Sequence, residues 1–283
     1  TGAGGGGGGD DRLCAAGEEG AACSQLLESR ALENVMGVDK VFVINLGRRS
    51  GKWGAVQGRL RGLGMEIERF EAVDGKELVR ERLADILHED TMKKMGRPVE
   101  KLEDFRHLRT LGSVGCFLSH LGVWQSVAES TNERVLVLED DVVLAHSEGL
   151  EGALDVIGIA RNFFGVPTHW ETGAWDEVDV VLLGFVDDPK VARHWVGDRH
   201  VFECPSDPHL WRGHAYIVTA RGAAILSSEA MPLQYQVDYF MGHLVRQGII
   251  RCVAPMRELV REPTSHTGDS TDVQEMDVKP FEL

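Results

Sequence analysis

The sequence predicts an α/β domain built on a mainly parallel sheet flanked by helices, and three observations carry that expectation. Short apolar runs rich in β-branched residues, such as DKVFVINL (39–46), RVLVLEDDVVL (134–144) and DVVLLGF (179–185), read as buried strands. Segments with apolar residues at helical spacing separate them. Strands and helices alternate along the chain, the pattern of one sheet covered on both faces. With 283 residues, 43% of them hydrophobic, the chain is long enough to bury a sizeable core.

Taken in order, the six glycines Gly4 to Gly9 open a stretch with high backbone entropy and little to bury, so residues 1–36 read as a flexible leader. Within it, Glu18 to Asn34 has the composition of a short helix. Order is expected from DKVFVINL onward. Trp53, Val56, Leu60 and Leu63 then recur at helical spacing, although the interspersed glycines weaken the pattern. MEIERFEAVDG (65–75) alternates like a second strand and closes on an Asp-Gly turn. Residues 76–111 are charged and helix-prone, with a break at Arg97-Pro98. Leu118, Leu121, Trp124 and Val127 share one face of the next helix, which leads into the strand at 134–144. A helix and a long loop are expected in the Gly-rich stretch 146–177. HAYIVTARGAAILSS (214–228) reads as strand, turn and helix, and IIRCVAP (249–255) as a late strand. The domain therefore runs over 37–270, with 271–283 as a C-terminal tail.

Composition narrows the function. Net charge is −15, from 45 acidic and 30 basic side chains. A protein that lives on nucleic-acid backbones needs a positive footprint, so nucleic acid is not expected as the partner. A small phosphate-bearing ligand needs only a local basic cluster. The five cysteines show no C-x-x-C pair and are odd in number, which supports neither a zinc ribbon nor a disulfide scaffold. No apolar run approaches the ~18 residues of a bilayer span.

The chemistry-bearing residues centre on Glu139-Asp140-Asp141, three carboxylates at the end of an apolar strand. Ligands of open α/β sheets sit outside the carboxyl ends of strands. Side chains alternate there, so Glu139 and Asp141 are expected on one side and Asp140 on the other. Hard carboxylate oxygens suit manganese or magnesium, commonly shared with substrate phosphates. A solvated strand end is the plain alternative. After the first strand, Asn45 and Arg48 or Arg49 stand where a nucleotide contact would be. Arg59 and Arg61 read as a solvated helix face. Asp238 opens an apolar-striped helix, either as a partner of the helix macrodipole or as a general base. His266, in a late polar segment, is either exposed or the imidazole of a metal site. His120 and His214 lie in apolar segments and read as structural.

Taken together, VFVINLGRR (41–49), FEAVDGKEL (70–78), GSVGCFLSHLGVW (112–124), VLVLEDDVVL (135–144), DVVLLG (179–184), HAYIVTARGAAIL (214–226), VDYF (237–240) and PTSHTGD (263–269) resemble glycosyltransferase family 25. That family includes lipopolysaccharide glycosyltransferases and procollagen galactosyltransferases. The resemblance covers about residues 39–270. It implies a GT-A fold, a Rossmann-like α/β domain, and an inverting, metal-dependent transfer of galactose or glucose from a UDP-sugar to a hydroxyl of a glycan or protein acceptor. It implies Mn2+ (or Mg2+) as cofactor. Asp141, Asp140 and His266 would then be the metal ligands, with Asn45, Arg48, Arg49, Glu139 and Asp140 contacting the donor. Asp238 would be the catalytic base. Either a secretory-pathway lumen or the cytoplasmic face of a membrane fits such an enzyme. A catalytically silent module that binds nucleotide-sugar or glycan is the alternative from another functional class. Three departures mark this chain: Arg49-Ser50-Gly51-Lys52-Trp53 replaces the usual Arg-Asp-Arg-like continuation, extra Gly-rich sequence follows Asp141, and the glycine leader has no counterpart in the family pattern.

Overall fold

The computed structural model describes residues 38–60, 67–97, 106–132, 134–144, 178–185, 201–204, 212–255 and 260–261. The expected leader and its short helix, the stretch 146–177, Leu63, His266 and the C-terminal tail lie outside the described residues.

Strand β1 (Lys40–Asn45) is apolar and buried from its second residue on. Helix α1 (Ser50–Leu60) follows and turns Val56 and Leu60 inward. β2 (Ile67–Glu71) is an edge strand in which Glu68 and Glu71 are exposed and the rest are half-buried. Two short helices, α2 (Leu83–Ile86) and α3 (Glu89–Lys94), occupy the charged stretch. Helix α4 (Leu111–Glu129) begins at a capping box in which Thr110 and Ser113 satisfy each other's backbone N–H groups. The strands that follow are β3 (Arg134–Glu139), β4 (Val143–Leu144), β5 (Val180–Leu182), β6 (Val201–Glu203) and β7 (Ala215–Thr219). Thr219 ends β7 and caps helix α5 (Ala220–Glu229), so the expected turn shrinks to one residue. Helix α6 (Val237–Arg246), β8 (Cys252–Pro255) and β9 (Val260–Arg261) complete the described elements.

Among the described residues the main sheet has seven strands in the order β2-β1-β3-β7-β5-β8-β6. β2, β1, β3, β5 and β8 point one way, while β7 and β6 run against them. The mainly parallel α/β sheet read from the sequence is what forms, and it is consistent with a GT-A-like Rossmann architecture. β4 and β9 make a separate antiparallel pair beside it.

Two apolar layers cover the sheet. Phe42, Ile44, Val135, Val137, Val180, Leu182, Tyr216 and Val218 face one side. They meet Phe117 and Trp124 of α4, Leu226 of α5 and Phe240 of α6. Val41, Val43, Leu136, Leu138, Val181 and Ile217 face the other side and meet Val56 and Leu60 of α1. At roughly 25 cal/mol per Å2 of apolar surface, these layers dominate the stability of the fold. Cys204 and Cys252 form a disulfide between the end of β6 and the start of β8. Among the described residues it is a single bridge between neighbouring strands, which spacing alone did not reveal.

Two glycine positions fix how α4 approaches the sheet edge. A Cβ at Gly75 would stand 2.2 Å from the Leu111 carbonyl oxygen, and one at Gly115 would stand 2.6 Å from that of Val73. Only glycine permits this approach. Ser119 Oγ then accepts the Val73 N–H at 2.9 Å, which ties the 73–75 turn to the helix.

Candidate active site

The register of the sheet explains how the candidate residues meet. Ile44 pairs with Glu139 across the parallel β1–β3 ladder, so the next residues, Asn45 and Asp140, lie side by side beyond it. On the other flank Leu138 pairs with Ala215, and the Glu139 N–H donates to the His214 carbonyl at 2.9 Å. The ends of β1 and β3 and the start of β7 therefore converge at one edge. The end of β5 joins them, because the Leu183 N–H donates to the Ala215 carbonyl at 3.0 Å. Gly184 lets His214 close in: a Cβ there would sit 2.2 Å from His214 Nε2, which itself lies 2.9 Å from the Val260 carbonyl.

Parity along β3 sorts the carboxylates. Val135 and Val137 face α4, and Glu139 continues that face; Leu136 and Leu138 face α1, and Asp140 continues theirs. Glu139 Oε1 lies 3.3 Å from His120 Nε2 on α4. His120 Nδ1 is 2.8 Å from the Tyr216 hydroxyl, which also accepts the Trp124 indole N–H at 2.9 Å. Burial works to raise the Glu139 carboxyl, but the His120 hydrogen bond and the Lys52 charge hold it below its ordinary range.

Asp140 turns to the opposite side. Its Oδ2 accepts from Asn45 Nδ2 at 2.7 Å, and its Oδ1 lies 4.0 Å from Lys52 Nζ. The Asp140 carbonyl accepts from Arg59 Nη2 at 2.8 Å. Burial pushes this carboxyl up despite the Asn45 bond and the nearby Lys52 and Arg49 charges. Arg59, read from the sequence as a solvated face, thus anchors the backbone of the acidic turn. Arg49 lends its charge to Asp140, and its backbone carbonyl accepts from Asn45 Nδ2 at 3.3 Å. Arg48 instead pairs with Asp74 in the 73–75 turn, and this contact holds Asp74 below the usual carboxylate range.

Asp238 occupies the first turn of α6 and its Oδ1 accepts the Tyr239 N–H at 2.7 Å. Gly213, one residue before His214, packs directly against Val237 and Asp238. Burial pushes the Asp238 carboxyl up to about 6, and the Glu139 charge adds to that push while Arg212 opposes it. Cys116 marks the common ground of these groups. Burial raises its thiol well above the ordinary range, and the charges of Glu139, Asp238 and Asp141 raise it further. The charges of Glu139, Asp141 and Asp238 all reach the Cys116 thiol, and that of Glu139 reaches Asp140 as well. His120, Tyr216 and Cys116 were not singled out as site residues from the sequence. The i, i+4 spacing of Cys116, His120 and Trp124 on α4 is the signal that could have found Cys116 and His120, whereas nothing local marks Tyr216.

A divalent cation fits the donor chemistry here. Asp140, whose Oδ2 accepts from Asn45, and Asp141, at the turn after β3, both offer hard carboxylate oxygens of the kind a divalent cation takes. Donor atoms of Cys116, His120 and Glu139 also lie within 4.8 Å of one another. Both ring nitrogens of His120 are already hydrogen-bonded, so that softer trio reads as a polar network.

The sequence of this chain is similar to that of known proteins. The sequence profile of glycosyltransferase family 25 (LPS biosynthesis protein) matches residues 38–241. A glycosyltransferase 25 family member of Drosophila pseudoobscura pseudoobscura is 37% identical over 213 residues, covering 72% of this chain and 29% of that protein. Human procollagen galactosyltransferase 2 is 35% identical over 116 residues, covering 39% of this chain and 17% of that protein. A mouse protein named inactive glycosyltransferase 25 family member 3 is 35% identical over 112 residues, 38% of this chain and 17% of its own length. The chain thus spans less than a third of the length of these relatives. With the profile matching well over half of its residues, the chain belongs to glycosyltransferase family 25.

Proposed function

We propose that this chain is an inverting, metal-dependent hexosyltransferase that moves galactose or glucose from a UDP-sugar to a hydroxyl of a glycan or protein acceptor, with residues 37–270 as its catalytic domain. The observation that supports this reading best is Asp238. Its carboxyl is pushed up to about 6 and shares the field at Cys116 with Glu139 and Asp141. A carboxylate with that affinity for protons suits a general base near neutral pH.

In this reading Asp238 takes the proton of the acceptor hydroxyl. That oxygen bonds to the anomeric carbon from the face opposite the diphosphate, and the bond to the UDP oxygen breaks. Asp141, with His266 from the segment outside the described residues, would hold a divalent cation, which supplies charge neutralisation for the leaving diphosphate. Glu139 contacts the donor ribose. Asp140 acts through Asn45, Lys52 and Arg59 to set the turn that carries Asp141. Arg49, beside Asp140, is the better placed of the two arginines for the nucleotide, since Arg48 is tied to Asp74.

The test is UDP release from UDP-galactose and UDP-glucose with manganese and hydroxyl acceptors, run beside a UDP-binding measurement. Asp238→Asn is expected to bind UDP and to lose transfer. No donor turnover or binding by the unaltered protein would remove the transferase reading. Binding of UDP-sugar without turnover would favour the silent module, a reading given weight by the relative named as inactive.

A further inference from the structure

Behind Glu139 lie three polar side chains with no exposure at all: Trp124, Tyr216 and His120. Buried polar groups need partners, and these find one another in a line. The distances are 2.9 Å from Trp124 Nε1 to the Tyr216 hydroxyl, 2.8 Å from that hydroxyl to His120 Nδ1, and 3.3 Å from His120 Nε2 to Glu139 Oε1.

Counting protons gives the line a direction. An ionised carboxylate has no hydrogen to offer, so the Nε2 facing it must carry one. In the neutral imidazole Nδ1 is then an acceptor and needs the Tyr216 O–H. The indole is a donor only, so its N–H goes to the Tyr216 oxygen. Each proton is used once. The opposite tautomer would aim an Nε2 lone pair at a carboxylate oxygen. It would also leave the fully buried tyrosine proton without a hydrogen-bond acceptor among the described residues.

We propose that Tyr216, backed by Trp124, is a positioning residue for the donor: it fixes the His120 tautomer whose Nε2–H pins Oε1 of Glu139, leaving Oε2 for the donor ribose. The inference rests on the UDP-sugar reading above for its final step only. The relay ends on the half-buried strand-end carboxylate, which separates it from a network that merely satisfies the core.

Tyr216→Phe removes one hydroxyl while keeping the ring, and the full chain is the material for both measurements. Long-range proton–nitrogen NMR spectra are expected to show His120 protonated on Nε2 in the unaltered protein and a mixture of tautomers in Tyr216→Phe. In donor kinetics, Tyr216→Phe is expected to raise KM for the UDP-sugar about 10-fold, the scale seen when a supporting hydrogen bond is removed behind a ligand. kcat should stay within about twofold, as for lost uniform binding. In a His120→Gln background, whose amide still donates to Glu139, Tyr216→Phe should add less than about twofold. An Nδ1-protonated His120 in the unaltered protein would overturn the relay. So would an unchanged donor KM, or the same loss in the His120→Gln background. The tautomer spectra decide the relay without turnover, so failure of the transferase reading is seen separately.

Discussion

The two flanks of the β3 terminus hold their carboxylates by opposite means. On the α1 side Asp140 is surrounded by Asn45, Lys52, Arg49 and Arg59. On the α4 side Glu139 is backed by His120, Tyr216 and Trp124. Counting nearby charges would suggest that Asp140 is the more acidic group, yet its carboxyl is raised and that of Glu139 is lowered. Burial raises both. It wins at Asp140 although the neutral Asn45 amide donates to it at 2.7 Å, and loses at Glu139, where the His120 imidazole lies at 3.3 Å.

The largest expected effect belongs to the α4 side and the proposed chemistry. Asp238→Asn should lower kcat by on the order of 10^2- to 10^4-fold, the usual contribution of a general base, with UDP affinity nearly unchanged by calorimetry. In the unaltered protein kcat should fall as pH drops below about 6, where Asp238 gains its proton. A flat profile across that range would remove Asp238 from the role of base.

Next comes stability. Trp124→Ala opens a cavity in the apolar layer and removes the donor to Tyr216, and should cost about 3–5 kcal/mol in denaturant unfolding. Asn45→Ala, on the α1 side, should cost about 1–3 kcal/mol by leaving Asp140 without its amide. Equal costs would erase the contrast between a packed flank and a polar one.

Asp238 also has a stability signature of known sign. Its carboxyl is raised in the fold, so its contribution is intact below the unfolded pKa near 4 and is lost as pH climbs through about 6. Asp238→Asn should therefore stabilise the protein at pH 8, by up to roughly 3 kcal/mol, and give no gain at pH 4. A destabilised variant at pH 8 would contradict the raised carboxyl, since the amide oxygen in Asp238→Asn still accepts the Tyr239 N–H.

The smallest effect concerns Arg48, whose partner is the Asp74 turn. Arg48→Ala should cost about 0.2–1 kcal/mol, as exposed ion pairs do, and leave donor KM unchanged. A raised donor KM would return Arg48 to the nucleotide.

Much of this arrangement can be read from residue order, because alternation is a local property. The apolar runs of β1, β3 and β5 announced buried strands, and the position of Glu139-Asp140-Asp141 after four apolar residues announced a strand end. Alternation also divided Glu139 from Asp140 before any partner was known. What stayed hidden depends on neighbours distant in sequence. Tyr216 meets Trp124 across a separation of 92 residues, and Asn45 meets Asp140 across 95. His120 looked like an ordinary core histidine because its contact with Glu139 exists only once α4 lies on the sheet. Gly75 and Gly115 make that docking close enough, and no periodicity reports it. The antiparallel course of β7 was equally invisible, since a strand run reads the same in either direction.

The central claim is that the neighbouring aspartates divide the work, with Asp141 on the ion and Asp140 in the scaffold. It is tested most directly by calorimetric titration of UDP with and without manganese, on the unaltered chain, Asp140→Asn and Asp141→Asn. Manganese should tighten UDP binding in the unaltered chain and in Asp140→Asn, and should have no effect in Asp141→Asn. Manganese dependence that survives in Asp141→Asn but vanishes in Asp140→Asn would contradict the assignment.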